Sequence, residues 1–395
     1  MTTNNLRIIL SSNAPWGYSG YSNQSRLIMT SLYDAGYKNL AMSCFYGLEG
    51  GIIEWNGIKC YPKIGRAYGE DAMLEHGRDF KADVTMTLQD IWTLDMNILN
   101  QIPNWVPWVP IDFSPLPKHI MERLRFANRI IAMSEFGQKE MAQKGYASHL
   151  IPHGVDTTLF KKLKSKKEAK KKLGIPEDIF LFGMVSANKD NPPRKSFQRV
   201  IDAFAEFLPQ TKGKAGIYFH TLMQQQGGFN IPNYAGYKGV GKHIYHLSPY
   251  ETMVKAEPKD IVTIMNAFDV LLMPSTNEGF GIPAIEAQAC EVPVVVNNWT
   301  SMPELIIPDK TGILVEPDHL RWSNIQGYVA EPSTEQLTKA MTSLYKAKKS
   351  DKLKEMGANA RKHILKKYDH DKLIRNNRIP LLEKISKDVT NNQRT

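Results

Sequence analysis

Apolar residues in this chain fall into short compact runs, separated by stretches in which they recur every three or four positions. Runs at 6–10, 84–88 and 129–134 read as buried strands. Between them, 22–35 carries Ile28, Leu32 and Ala35 on one helical face, and a helix is expected at 135–143. Strands alternating with helices predict an α/β protein with a parallel, doubly wound sheet. The turn-rich string Ile151-Pro152-His153-Gly154-Val155-Asp156 interrupts the pattern, which restarts with runs at 179–185, 216–220, 270–273 and 292–296. From 335 onward the chain reads as helices rich in Lys and Leu. A length of 395 residues fits two domains. Their expected limits are 1–158, joined by a C-terminal helix at about 376–395, and 159–375. Two such sheets in tandem predict a cleft, with ligands at the carboxyl ends of the strands.

Composition narrows the class. With 42% hydrophobic and 23% charged residues this is an ordinary globular chain, and no apolar run reaches membrane-spanning length. The polar opening Met1-Thr2-Thr3-Asn4-Asn5 leads at once into a strand-like run, so no secretory leader and a cytoplasmic location are expected. Cys44, Cys60 and Cys290 have neither metal-ligand spacing nor the density of a disulfide scaffold, and read as free thiols. The net charge of +10 is uneven: residues 1–160 carry 14 basic against 15 acidic side chains, whereas 161–172 carries eight lysines and one glutamate. Residues 341–395 add 15 basic against 6 acidic side chains. Such runs suit nucleotide phosphates, nucleic acid or anionic lipid, or are simply a solvated linker and helix face.

The sharpest chemical signal is Ser275-Thr276-Asn277-Glu278-Gly279-Phe280-Gly281-Ile282-Pro283-Ala284-Ile285-Glu286-Ala287. A strand ends, a glycine loop follows, and Pro283 stands where a first helical position is expected. The N–H groups of Gly279, Phe280 and Gly281 then lie at a helix N-terminus, which attracts anionic or hydroxyl-rich ligands. Glu278 in the loop and Glu286 in the first helical turn supply two carboxylates to one cleft.

This string resembles the E-x7-E motif of retaining glycosyltransferases of family 4, which have the GT-B fold: two Rossmann-like parallel-sheet domains facing a cleft. The resemblance continues through Ala287-Gln288-Ala289-Cys290-Glu291-Val292-Pro293-Val294-Val295, with Glu291 in place of the usual glycine. Ser301-Met302-Pro303-Glu304-Leu305, Ser134-Glu135-Phe136-Gly137 and Pro152-His153-Gly154-Val155-Asp156 resemble further landmarks of that family. It implies an N-terminal acceptor domain and a C-terminal donor domain. It also implies that Glu278 contacts the donor sugar and Glu286 the ribose hydroxyls of a nucleoside-diphosphate sugar.

Three other stretches join the site. Asn188-Lys189-Asp190-Asn191-Pro192-Pro193-Arg194-Lys195 follows a strand and precedes a helix at 196–207. Arg194 and Lys195 there can neutralise a leaving diphosphate, with Asn188 at the loop's start. The loop Asn13-Ala14-Pro15-Trp16-Gly17-Tyr18-Ser19-Gly20 resembles the family's N-terminal glycine loop, with Gly20 nearest the donor phosphate and Trp16 and Tyr18 as an acceptor platform. Asp112 stands where many relatives place a histidine and can position or deprotonate the acceptor, with Asp90 a lesser candidate. A metal is not expected, since the only D-x-D string, Asp369-His370-Asp371, lies far from the donor loop. No cofactor is expected beyond a UDP-, GDP- or ADP-sugar substrate. The acceptor stays open between a glycan, a lipid carrier at an anionic membrane surface, a small molecule and hydroxylated bases of DNA. A GT-B epimerase or phosphorylase is the other class, and the oligomeric state cannot be read from the sequence.

Overall fold

The computed structural model describes residues 5–254 and 257–392, with side chains described as far as residue 389. The polar opening Met1 to Asn4 and the last three residues of the basic tail lie outside the described residues. The chain divides into two compact units, residues 1–154 with 370–395 and residues 155–369.

In the first unit the strands are β1 (Ile8–Asn13), β2 (Leu40–Tyr46), β3 (Ile53–Trp55), β4 (Ile58–Tyr61), β5 (Val84–Leu88), β6 (Trp105–Val109), β7 (Ile131–Ala132) and β8 (His149–Leu150). They form one sheet in the order β3-β4-β2-β1-β5-β6-β7-β8. All pairings are parallel except β3–β4, whose turn places Asn56 and Gly57 at φ 52° and 78°, as a tight hairpin requires. Every residue of β5 is buried, as in a strand covered on both faces. The helix Gly20–Asp34 follows β1 and begins two residues before the expected start at Ser22, because Ser19 Oγ accepts the Ser22 N–H at 3.0 Å and caps it there. Residues beyond 369 pack within this unit: His370 Nε2 lies 2.9 Å from Ser31 Oγ, and the Arg378 guanidinium lies 4.3 Å from the Trp108 ring.

The second unit holds β9 (Phe180–Val185), β10 (Ala215–His220), β11 (Ile244–Tyr245), β12 (Val270–Met273), β13 (Val294–Asn297) and β14 (Gly312–Val315) in an all-parallel sheet ordered β11-β10-β9-β12-β13-β14. From β9 the chain winds out to β10 and β11, then returns to pair β12 on the other side of β9. Loops leaving β9 and β12 therefore flank the point where the winding reverses, the usual place for a ligand in an open α/β sheet. The helix Phe197–Phe207 buries Phe197, Val200, Ile201, Phe204 and Phe207 against Phe182 and Phe219. Gly183, in β9, gives the Phe268 ring its place: a Cβ there would lie 2.2 Å from ring carbons.

Several elements have no counterpart in the sequence reading, among them β2, β14 and a hairpin. β15 (Pro317–Trp322) and β16 (Tyr328–Pro332) form an antiparallel hairpin between β14 and the helix Thr334–Ala347. Among the described residues no helix is long and apolar enough to cross a membrane.

Candidate active site

Glu278 lies in the loop after β12 and is only 7% exposed. Its Oε1 accepts hydrogen bonds from Ser275 Oγ at 2.6 Å and from Lys195 Nζ, and its Oε2 accepts from Arg194 Nη1 at 3.2 Å. Arg194 also donates to the Asn277 carbonyl at 2.7 Å, while its own carbonyl accepts the Thr276 N–H at 2.9 Å. The loops after β9 and β12 are thus joined through both side chain and backbone. Ser275 carries no motif signal of its own, and sequence reasoning passed over it as a ligand of Glu278.

Burial alone would raise the Glu278 pKa. The Lys195 ammonium and then the Arg194 guanidinium outweigh it and hold the carboxyl at about 2. Lys195 moves the other way, since burial first and the Arg194 charge second push it below the ordinary lysine range, and Glu278 restores only part of the loss. Their neighbours reconcile these two directions. Both cations act on the Glu278 carboxylate, whereas Lys195 is opposed by burial and by Arg194 and relieved by Glu278 and Asp190. Such a cluster favours the arrival of further negative charge.

The loop itself is held tightly. The Glu278 N–H donates to Thr300 Oγ1 at 3.1 Å, and Ser301 Oγ lies 2.8 Å from the Glu278 carbonyl and 2.9 Å from that of Phe280. The Phe280 ring is buried against Tyr368, so Phe280 offers a ligand only its backbone. Gly281 takes φ 110°, and a Cβ there would meet Met273 at 2.7 Å and Leu305 at 2.9 Å. This left-handed residue caps the helix Ile282–Ala289. Pro283 is consequently the second helical residue, not the first. Glu286 is the fifth, on the second turn and not the first, where its side chain is buried. Glu291 takes φ 61°, the left-handed conformation that favours glycine, and pairs with Lys162 at 2.7 Å.

Asn188 uses its amide internally. Nδ2 donates to the carbonyls of Leu222 and Phe229 at 3.1 and 2.7 Å, and Oδ1 accepts the Phe229 N–H at 2.8 Å. It thereby hangs the 222–229 segment on the loop that carries Arg194 and Lys195. That segment walls a cavity of about 630 Å³, lined also by Thr221, His246 and Leu247. Gln225, in the same wall, donates to the Asn188 carbonyl. Thr221 Oγ1 in the cavity wall and His220 Nδ1 at the end of β10 are buried without a hydrogen-bond partner among the described residues. Burial lowers the His220 pKa to about 4, so the ring is neutral near pH 7. Nothing in the spacing of residues 220–249 announced this cavity.

The first unit holds the other candidates. Gly20 is the first residue of the helix Gly20–Asp34, preceded by the Ser19 cap that Asn13 Nδ2 contacts at 2.6 Å. Trp16 donates to the Gly47 carbonyl at 2.7 Å and lies 6.4 Å from the Trp55 ring, while Tyr18 is exposed. Asp90 follows β5 and is exposed; Asp112 follows β6 and is half-buried. Asp369, of the D-x-D string, accepts a hydrogen bond from Thr157. Among the described residues no cluster of three metal-binding side chains occurs.

Residues 251–363 match the family model described as glycosyl transferases group 1, a span that contains Glu278 to Glu286. Over 188 residues the chain is 28% identical to a D-inositol 3-phosphate glycosyltransferase of Corynebacterium jeikeium, covering 46% of this chain and 43% of that protein. Residues 251–363 are thus similar to the glycosyl transferases group 1 family. Along the likeness to the Corynebacterium protein the chain spans less than half the length of the curated relative. Its fold matches sucrose-phosphate synthase from Thermosynechococcus elongatus at a TM-score of 0.77 and 16% identity, covering 98% of this chain and 99% of that one. It also matches Anabaena HepE in complex with UDP-glucose at a TM-score of 0.68 and 16% identity, covering 97% and 99%. The two parallel-sheet units thus have the GT-B fold. Arg194 and Lys195 lie upstream of the group 1 match, and the hairpin β15–β16 lies inside it.

Proposed function

We propose that this chain is a retaining, metal-independent glycosyltransferase that moves a sugar from a nucleoside-diphosphate sugar to an acceptor hydroxyl. The observation that carries the reading is the cluster of half-exposed Arg194, largely buried Lys195 and buried Glu278 at the reversal of the second sheet. In this reading the diphosphate lies on Arg194 and Lys195, whose two positive charges take over the neutralisation a divalent cation would otherwise provide. Glu278 and the amides of Gly279 to Gly281 take the donor sugar, and Glu286 takes the ribose. The cavity beside Thr221 and Gln225 has a volume suited to a nucleobase. HepE's complex with UDP-glucose supports a nucleotide sugar as the ligand of such a fold. UDP-, GDP- and ADP-sugars are the candidate donors.

In the transfer step the bond between the anomeric carbon and the β-phosphate oxygen breaks, its electron pair staying with the phosphate. The acceptor oxygen bonds to the anomeric carbon on the same face, and its proton passes to a phosphate oxygen or to Asp112. Asp90, Trp16 and Tyr18 are proposed for the acceptor and Gly20 for the donor phosphate.

The test is to incubate the protein with UDP-, GDP- and ADP-sugars and a panel of saccharide acceptors. Nucleoside diphosphate release is followed, and the anomeric configuration of any product is read by NMR. Turnover of one donor with retention supports the reading; no turnover of any donor, or inversion, refutes it.

A further inference from the structure

The hairpin β15–β16 is attached to the donor loop by its backbone. The Ala330 N–H donates to the Thr276 carbonyl at 3.0 Å, and Asn297 Nδ2 bridges the carbonyls of Ala330 and Ser275 at 2.9 and 3.0 Å. Thr276 in turn donates to the Arg194 carbonyl at 2.9 Å, so the donor loop lies between the cationic loop and the hairpin. The turn is also held, since Ser323 Oγ and N–H both donate to the Gly327 carbonyl, at 2.8 and 3.0 Å.

On this rigid arm Trp322 pairs with Tyr328 across the two strands, ring centroids 4.9 Å apart and nearly perpendicular. Both rings are open to solvent, Trp322 at 53% and Tyr328 at 40%, as is Leu320 at 45%. Strand alternation puts Leu320, Trp322 and Tyr328 on the same face as Ala330, the residue fastened to the donor loop. Tyr328 is two residues from Ala330, which sets the aromatic pair roughly 7 Å along the strand from that attachment. The opposite face is closed by the Arg321–Glu331 ion pair, and Asp318 at the base pairs with Arg199.

We infer that Trp322 and Tyr328 form a carbohydrate subsite that holds a sugar ring of the acceptor beside the donor loop; this rests on the glycosyltransferase reading above. A pyranose has one face of C–H groups and a rim of hydroxyls, and an exposed indole takes that face while Tyr328 Oη and neighbouring polar groups take the rim. The patch is the wrong size for a second copy of the chain. Two aromatic side chains about half exposed offer on the order of 200 Å², against about 800 Å² per partner in a stable dimer. A two-ring platform fixed to the loop that carries Glu278 suits one sugar residue.

The test compares the full-length protein with Trp322→Ala, Trp322→Phe and Tyr328→Ala. Saturation-transfer NMR is run against a panel of methyl glycosides and oligosaccharides, alongside UDP, GDP and ADP binding by calorimetry. The expected result is saccharide contact through ring C–H protons in the wild type, weakened at least tenfold by Trp322→Ala and largely kept by Trp322→Phe, with nucleotide binding unchanged in all variants. Saccharide contact that survives Trp322→Ala, or no contact by any saccharide in the panel, overturns the subsite. So does a phenotype seen only as lost binding to phosphatidylcholine/phosphatidylglycerol vesicles, or only as a lost dimer. Failure of every nucleoside diphosphate to bind the wild type refutes the donor reading and is a separate result from these.

Discussion

Arg194 Nη1 stands 3.2 Å from Glu278 Oε2, although 84 residues separate them in the chain. The contact exists because β9 and β12 are neighbours at the reversal of the sheet, so that loops distant in sequence leave the same edge together. The placement of both Arg194 and Lys195 on the Glu278 carboxylate follows from the same neighbourhood.

Glu278→Gln removes the anion that joins half-exposed Arg194 to largely buried Lys195. Stripping one partner from a buried ion pair costs about 3–5 kcal/mol. Some of that is recovered here, because Arg194 still donates to the Asn277 carbonyl. We expect a loss of about 2–3 kcal/mol in urea unfolding, with sugar transfer reduced at least a hundredfold. Nucleoside diphosphate binding should be retained or tightened, since the carboxylate that competes with the phosphate for both cations is gone. Loss of both binding and transfer would count against the division of labour between Glu278 and the cations.

Acid stability should report on His220. Its ordinary pKa of 6.5 is lowered to about 4 by burial. The unfolded chain therefore takes up a proton near pH 6.5 that the folded chain refuses until near pH 4. Stability from the neutral ring is complete above pH 6.5 and is lost as pH falls toward 4, by up to about 3 kcal/mol. His220→Asn should flatten that part of the profile when urea midpoints are compared at pH 7.5 and 4.5. Equal acid sensitivity in the variant would show that other groups dominate.

Gly183→Ala tests the packing under the site. A Cβ would lie 2.2 Å from the Phe268 ring in the middle of the sheet, with buried side chains on every side. Overpacking of this kind costs about 2–3 kcal/mol. The urea midpoint should fall with an unchanged slope. An unchanged midpoint would mean that Phe268 can turn aside.

Much of the fold was legible because its central strands are compact, mostly apolar runs. Residues 84–88 and 270–273 coincide with β5 and β12. Boundaries drifted where capping decided them, as at Ser19 and at left-handed Gly281, because a hydrophobic stripe does not say where a cap will fall. The hairpin escaped notice because Asp318, His319, Leu320 and Arg321 form no apolar alternation, and its attachment uses backbone groups and Asn297. In the site, Glu278, Arg194 and Lys195 each had a readable local signal. Their meeting depended on sheet order, which residue periodicity does not encode. The cavity was invisible for a similar reason, since its walls come from loops after β10 and β11 with no shared motif.

The central claim is that Arg194 and Lys195 hold the diphosphate of a nucleotide sugar. The most direct measurement is calorimetric titration of UDP, GDP and ADP into the wild type and Lys195→Ala, with a thermal melt to confirm that the variant is folded. The account predicts that at least one nucleotide binds the wild type and that its affinity falls at least thirtyfold in the folded variant, about 2 kcal/mol. Equal affinity in the two proteins, or no binding of any of the three to the wild type, would contradict it.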